Sequence, residues 1–499
     1  MSATLNPLPD TSLRPPSDQP PPSGHAAPSG RRRRVEVVIM TGLVVLWALS
    51  GLLLGLGLVG VVLLGALLLA AFHTLVRRRP LRALLLRDTA SFAHGWAGKL
   101  LVAAVLLAIP VTMVLASVGG GRYGQYADDS WKSVLMLVVL TGSYLASRRL
   151  VLTVLIGAVT VAVVSWVLSP DLAVARNGDP AVLAHIDQQA QRGWLAGNHA
   201  VAVAEIDLEA GQPVRLAGIG ADDTTPMEVG SMTKAMTGLV IADAVRRGEL
   251  RMDAPVSTYL PRLDGSPAGT ATLQELVTHT AGYAEFGAAT VRRAAWMAPL
   301  GRNFFTANIA QMMEDTRSQT LSGRGRYVYS TLGSAIAGQA VAAAAHMSYP
   351  DLMRTRLFEP LGMSDTAIQV GHTLVAGGKS QSGLPVQPWV MDAYAPGAAA
   401  VSTTRDLAKL ATALLDRTAP GMDALNPTTA TDRSNSRIGD FWQTSTWQTG
   451  QTITHHAGQT GGYASYLGLD RSGHRAVIVL SDIANDGSDL GAQLLADRT

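Results

Sequence analysis

Met227-Glu228-Val229-Gly230-Ser231-Met232-Thr233-Lys234 opens a helical signal that runs from Ser231 to Gly248. Glycine ends helices readily because it adopts the left-handed conformation without a steric penalty. Ser231 and Lys234 are three residues apart, so on a helix they share a face about one turn apart. A serine hydroxyl is a weak nucleophile until a neighbouring base takes its proton. A lysine amine can act as that base when burial lowers its pKa. The helix N-terminus adds backbone N–H groups and a partial positive charge where an oxyanion would form. The ordinary alternative is a serine N-cap beside a solvated lysine. Two features weigh against it. This is the only Ser-x-x-Lys in 499 residues, and Lys234 is one of five lysines among 40 basic residues. Met236, Leu239, Val240, Ile241, Ala244 and Val245 also make the helix mostly apolar, which predicts a central, buried position.

Two further segments carry chemistry. Tyr329-Ser330-Thr331 precedes an apolar, Ala-rich helix. A tyrosine there is a candidate proton shuttle if nearby cations hold it as phenolate or lower its pKa. His455-His456-Ala457-Gly458-Gln459-Thr460-Gly461-Gly462-Tyr463 leads into a final strand pair. His456 is a candidate cation or hydrogen-bond donor toward substrate. Gly458 permits close backbone approach, and a neighbouring N–H is a candidate oxyanion donor. Adjacent histidines on a strand face opposite ways, and no third ligand cluster accompanies them, so no metal is expected.

Outward from these segments, residues from about 171 read as one soluble domain. A helix is predicted over 180–195 and a strand over Ala200–Ile206. Thr272-x-x-Glu275 reads as a capping box, and Thr403-x-x-Asp406 reads the same way before a helix over 404–415. Tyr463–Leu469 and His474–Leu480 alternate like paired strands about the turn 470–473, and a last helix is predicted over 487–497. Strands at both ends with helices between predict an α/β (α+β) fold. Its sheet is built from the two termini of the domain, with a helical region inserted.

These elements, in this order, resemble the three motifs of the serine β-lactamase and penicillin-binding protein superfamily, its class C branch above all. The resemblance covers about 185–499. It includes Leu250–Pro261, the loop Leu276-Val277-Thr278-His279-Thr280-Ala281-Gly282-Tyr283, and Ser402-Thr403-Thr404-Arg405-Asp406-Leu407. It implies a β-lactamase/transpeptidase-like fold with an antiparallel sheet and no cofactor. It implies catalytic roles for Ser231 (acylated nucleophile), Lys234 (base, or tuning Ser231) and Tyr329 (proton relay). His456 and Gly458 would face substrate, the N–H groups of Ser231 and Gln459 would bind the oxyanion, and His279 would be structural. Thr331 stands where the family usually has Asn, and His456 where it usually has Lys. Both departures suit esterases and peptidases of the branch at least as well as efficient β-lactamases. A sensor that is acylated but slow to release, and a scaffold that keeps only the fold, are the alternative readings.

The chain before this domain is different in kind. Residues 1–34 form a Pro- and Ser-rich tail ending in Arg31–Arg34. Residues 35–72 carry one charge, Glu36. As one helix they would extend about 57 Å, against a hydrocarbon core of about 30 Å, so two crossings fit better. With further apolar runs, five spans are expected within 35–169, at 35–53, 56–72, 100–118, 133–147 and 150–168. Arg31–Arg34, Arg77–Arg87 and Arg148–Arg149 then fall on one side, the positive-inside pattern. This predicts a multi-pass protein of the cytoplasmic membrane with residues 171–499 outside. No ionisable residue lies well inside a span, which argues for an anchor rather than a transporter. The expected partners are lipid and a small-molecule or peptide substrate. A formal charge of +3 gives no case for nucleic acid, and the absence of cysteine excludes disulfides and thiol chemistry. Oligomeric state is left open.

Overall fold

The computed structural model describes residues 172–496, apart from 193–194, 196–197, 212, 381–384, 448–449 and 485–486. The tail and the five expected spans lie outside the described residues. Among the described residues no helix is long and apolar enough to cross a membrane.

Strand β1 (Arg176–Gly178) leads into helix α1 (Pro180–Gln191), followed by β2 (Val201–Asp207), β3 (Val214–Ile219) and β4 (Met227–Glu228). A long helix, α2 (Met232–Arg246), follows. The middle of the chain is helical: α3 (Leu273–Val277), α4 (Ala288–Met297), α5 (Ile309–Arg317), α6 (Thr331–Ala344) and α7 (Tyr349–Met353). Then come β5 (Ala367–Ile368), α8 (Ala395–Ala398), β6 (Ala400–Ser402) and α9 (Thr404–Leu415). The chain returns to strand with β7 (Thr429–Ala430), β8 (Ser436–Ile438), β9 (Gln443–Thr446), β10 (Thr452–Gln459), β11 (Ala464–Asp470) and β12 (Arg475–Ser481), and α10 (Gly487–Ala496) follows.

The main sheet has the order β1-β3-β2-β12-β11-β10-β9-β8-β7, with every pair antiparallel. Strands from the two ends of the domain meet inside the sheet, where β2 pairs with β12 from Arg475↔Asp207 to Ser481↔Val201. Successive side chains on a strand point to opposite faces, and here both faces are apolar. Val201, Val203, Val477 and Val479 face α1 and α10 through Val182, Ile186, Leu490 and Leu494. Ala202, Ala204, Ile206, Ile478 and Leu480 join the larger core formed with α2, α6 and α9. A helical layer therefore covers each face of the sheet.

Helix α2 is the axis of the larger core. Every residue from Met232 to Ala244 is buried, Lys234 among them. Gly248 follows with φ +75°, as a glycine terminator requires. The short second sheet, β4-β6-β5, locks the entry to α2. Met227 pairs with Ser402 and Glu228 with Val401. The Val229 N–H then donates to Ala400 O at 3.0 Å. This explains the segment beginning at Ser402. Thr403 caps α9 by accepting from Asp406 N, but the reciprocal half of a capping box is absent. The buried Asp406 carboxylate instead accepts from Asp365 N at 2.7 Å, Thr366 Oγ1 at 2.9 Å and Lys409 Nζ at 2.8 Å.

The capping box at α3 is complete. Thr272 Oγ1 accepts from Glu275 N at 3.2 Å, and Glu275 Oε2 accepts from Thr272 N at 2.8 Å. Thr272→Ala removes one of these bonds. It is expected to lower the unfolding free energy by about 1 kcal/mol, read as a shift of the urea midpoint with unchanged slope.

Candidate active site

Three elements converge on Ser231. The first is the turn at the start of α2. Ser231 occupies the N-cap position with helical backbone angles, and its side chain makes no capping bond, so the hydroxyl is free of the usual structural duty. One turn on, Lys234 Nζ reaches Ser231 Oγ at 2.9 Å and donates to Gly397 O at 2.7 Å. The second element is the N-terminus of α6. Ser330 caps that helix, accepting from Gly333 N at 2.8 Å, and Tyr329 just before it donates from its hydroxyl to Ser231 Oγ at 2.8 Å. The third is the end of β10. β9 pairs only with residues 452–455 of β10, so the edge of 456–459 on that side is left open toward Ser231.

Two glycines make this convergence possible. Gly230 has φ +50°, and a Cβ there would lie 2.7 Å from both Gln459 N and Gln459 O. A Cβ on Gly458 would lie 2.0 Å from Val229 O and 3.0 Å from Met232 N. Real Cβ atoms do not tolerate such distances to backbone, so both positions require glycine for the nucleophile turn to lie against β10. Ser465 Oγ, opposite Gly458 on β11, pins the same turn by donating to Val229 O at 2.7 Å. Gly230, immediately before Ser231, is thereby held against the backbone of Gln459.

The electrostatics follow from burial. Lys234 is fully buried, and loss of water pushes its pKa down to about 7, while the charge of Glu285 opposes that fall. A lysine poised there exchanges its proton near neutrality. Tyr329 moves the other way: burial raises its phenol above the ordinary value, the Ser231 contact opposing. The expectation of a phenolate or a lowered pKa is corrected. Lys234 lies 5.0 Å from the Tyr329 ring centroid, but it sheds its own charge too readily to hold a phenolate. Tyr329 is a neutral donor.

His456 is also corrected. Burial, with Lys234 adding to it, drives its pKa down to about 3, so it is not a cation at neutral pH. Its Nδ1 lies 2.6 Å from Ala457 O and must carry the proton. In a neutral ring Nε2 is then an acceptor, not a donor. Thr331, the first residue of α6, lies in the cleft close to Gly397, where a Cβ would meet Thr331 Cγ2 at 2.8 Å. His279 lies behind the site. Its Nδ1 accepts from Ser330 N at 3.2 Å and its ring centre is 4.6 Å from that of Tyr329, so it props the second motif. Among the described residues no group of three or more His, Cys, Asp or Glu could hold a metal.

The cleft in front of Ser231 encloses about 590 Å³ and is lined by Ser231, Tyr329, Thr331, His456, Gly458 and Gln459, bringing all the expected side chains except Lys234 to its surface. Lys234 lies beneath, behind Ser231. The sequence reading missed the rest of the lining. Phe286, Phe305 and Trp389 form an aromatic wall, with Phe305 4.9 Å from Trp389 and 5.7 Å from Phe286 between ring centres. Glu285 is beside the wall, and Arg433 and Gln443 belong to the β9 end. Glu285 lies three residues beyond Gly282 of the recognised loop, and that proximity was the available signal. Arg433 and Trp389 lie in loops without a pattern of their own. Gly397, whose carbonyl holds Lys234, was equally invisible.

The family model described as "Beta-lactamase" matches residues 181–498. The chain is similar to a beta-lactamase of Escherichia coli (strain K12), 26% identical over 190 residues, 37% of this chain and 46% of that protein. It is also similar to penicillin-binding protein 4 of Amycolatopsis lactamdurans, 30% identical over 161 residues, 32% of this chain and 40% of that protein. The matched stretch thus spans less than half the length of these curated relatives. A class C beta-lactamase structure from Rhodobacter sphaeroides superposes with a TM-score of 0.52 at 20% identity, covering 63% of this chain and 98% of that one. At that identity the likeness establishes the fold, a β-lactamase-like α/β architecture around an antiparallel sheet. With the family model extending over nearly the whole domain, the chain belongs to the Beta-lactamase family of serine hydrolases.

Proposed function

We propose that Ser231 is acylated by, and then released from, a small ester or amide: a D-amino-acid peptide, a short ester or a β-lactam. The observation that carries this reading is the position of Ser231 Oγ, held between Lys234 Nζ at 2.9 Å and Tyr329 OH at 2.8 Å, with the lysine tuned to about 7. In this reading the neutral Lys234 amine takes the hydroxyl proton as Oγ attacks the carbonyl carbon. The N–H groups of Ser231 and Gln459 hold the oxyanion. As the tetrahedral intermediate collapses, Tyr329 gives its proton to the departing oxygen or nitrogen and is reprotonated from Lys234. Water then attacks the acyl-enzyme, and the same groups return the proton to Ser231.

The similarity to a penicillin-binding protein supports a β-lactam donor. The neutral, acceptor state of His456 supports donors that need no cation at that position. We further propose that spans within 35–169 hold the chain in the cytoplasmic membrane with this domain outside. The apolar runs and the one-sided arginine clusters of the sequence support that arrangement.

The test is a time course of intact mass after mixing the full-length chain with a penicillin, a short-chain ester and a D-alanyl-D-alanine peptide. A transient acyl adduct with product release on at least one donor is expected. Absence of both adduct and turnover on all three would contradict the reading.

The pH profile gives a second check. Lys234 acts in its neutral form, so kcat/KM should rise with pH through a midpoint near 7 and then level off. Tyr329 keeps its proton throughout that range. A profile that climbs only above pH 9 would assign the base to the tyrosine instead.

A further inference from the structure

Glu228 stands three residues before Ser231, and the chemistry proposed above gives it no role. It lies on β4, opposite Val401, and is 3% exposed. A carboxyl is rarely buried so deeply unless donors or a cation meet it. Among the described residues no Lys, Arg or His pairs with Glu228, and its contacts are neutral groups from two other segments of the chain. Oε1 accepts from Trp389 N at 2.5 Å and from Gln369 Nε2 at 3.0 Å. Burial raises the pKa of Glu228, and contact with the Thr460 hydroxyl, Trp389 N and Gln369 opposes that rise.

These contacts hold two walls of the cleft. Gln369 Nε2 also donates to Trp389 O at 3.2 Å, so Trp389 is gripped through both its N–H and its carbonyl. A Cβ on Gly461 would lie 3.1 Å from Trp389 Nε1, so this part of the aromatic wall rests on the turn after β10. Thr460 closes that turn. Its N–H donates to Tyr463 O at 2.9 Å, and its Oγ1 accepts from Gly462 N at 3.3 Å and Tyr463 N at 3.1 Å. Both lone pairs of the hydroxyl are then used, and its proton is left for Glu228. The residue before Thr460 is Gln459, whose N–H the acyl-enzyme reading assigns to the oxyanion. One carboxyl thus joins the strand that delivers Ser231, the turn that follows Gln459, and the loop that carries Trp389.

We infer that Glu228 is a positioning residue, which holds the Gln459 turn and Trp389 in register with Ser231 by accepting hydrogen bonds from both sides of the cleft. It touches no reacting atom. The inference rests on the acyl-enzyme reading of Ser231. The test compares the full-length chain with Glu228→Gln, Glu228→Ala and Thr460→Val. Acylation of Ser231 by 4-nitrophenyl acetate is followed after rapid mixing, giving a limiting rate and a half-saturating concentration. Modification by a fluorophosphonate is followed by mass. Glu228→Ala is expected to lower the limiting rate by about 10²-fold, the scale of a misplaced donor, with half-saturation changed by less than about threefold. Glu228→Gln keeps the Oε1 acceptor and should restore the rate to within about fivefold of the natural protein. Thr460→Val leaves the hold on Trp389 intact, removes the hydroxyl link, and should cost about tenfold. A purely structural role would lower the melting temperature and leave the rate of the folded protein alone. An unchanged limiting rate in Glu228→Ala overturns the inference, as does a Glu228→Gln protein as slow as Glu228→Ala. Should Glu228→Ala fail to fold, an unchanged rate in Thr460→Val overturns it instead. All of these leave acylation of Ser231 in the natural protein, and with it the underlying reading, intact. If neither reagent modifies Ser231 in the natural protein, the reading falls and the inference with it.

Discussion

Ser231→Ala is expected to fold like the natural protein and to lose about six orders of magnitude in kcat on any donor it turns over. The hydroxyl is the only atom removed, and it caps nothing, since α2 receives no side-chain bond from it. Met232 N and Thr233 N bond to Val229 O and Gly230 O instead, so the helix start survives. What is lost is the atom that forms the covalent bond. Lys234 and Tyr329 then face each other across a gap with no nucleophile between them, and only water attack assisted by the Ser231 and Gln459 N–H groups remains. Stopped assays on the variant, with circular dichroism to show an unchanged fold, check this. A loss of less than tenfold would remove Ser231 from the chemistry.

Lys234→Met is expected to reduce acylation by about 10²- to 10⁴-fold, the range for loss of a positioned general base. The same substitution should stabilise the domain at low pH. The folded pKa of Lys234 is depressed from 10.5 to about 7. The unfolded chain thus binds more protons between these values, and stability rises with pH across that window. Below pH 7 the amine is charged in both states, and the burial penalty is fully present, of the order of 5 kcal/mol as an upper figure. Above about pH 10.5 it is gone. Methionine carries no such penalty but leaves Gly397 O without its donor, which returns about 1–3 kcal/mol. The melting temperature of Lys234→Met should therefore exceed that of the natural protein at pH 6, and the advantage should vanish toward pH 10. Lys234→Arg keeps the charge at every pH and should be inactive without the gain in stability. Equal pH dependence of stability in the natural protein and in Lys234→Met would mean the lysine is not desolvated.

Where the candidate residues sit on regular elements, the sequence foretold their placement in the fold. The apolar run after Lys234 marked α2 as buried, and alternation in 463–480 marked the central strand pair, because both patterns report burial directly. Ser231, Tyr329 and Gly458 lie at the ends of α2, α6 and β10, where element boundaries advertise themselves. The protonation states of Tyr329 and His456 did not follow from residue type. They depend on how much water surrounds each ring, which is set by residues far away in the chain. The aromatic wall and Arg433 were hidden for a related reason: loops packed only in three dimensions leave no periodic trace. The Thr403–Asp406 pair shows the limit of local motifs. Its spacing fits a capping box, yet Asp406 turns to bind the backbone and side chain of 365–366.

The most direct test of the central claim is peptide mapping after exposure of the full-length chain to a fluorophosphonate. One covalent adduct is predicted, on the peptide containing Ser231, absent in Ser231→Ala and forming much more slowly in Lys234→Met. An adduct on another residue, or none on correctly folded protein, would contradict the assignment of Ser231 as the nucleophile.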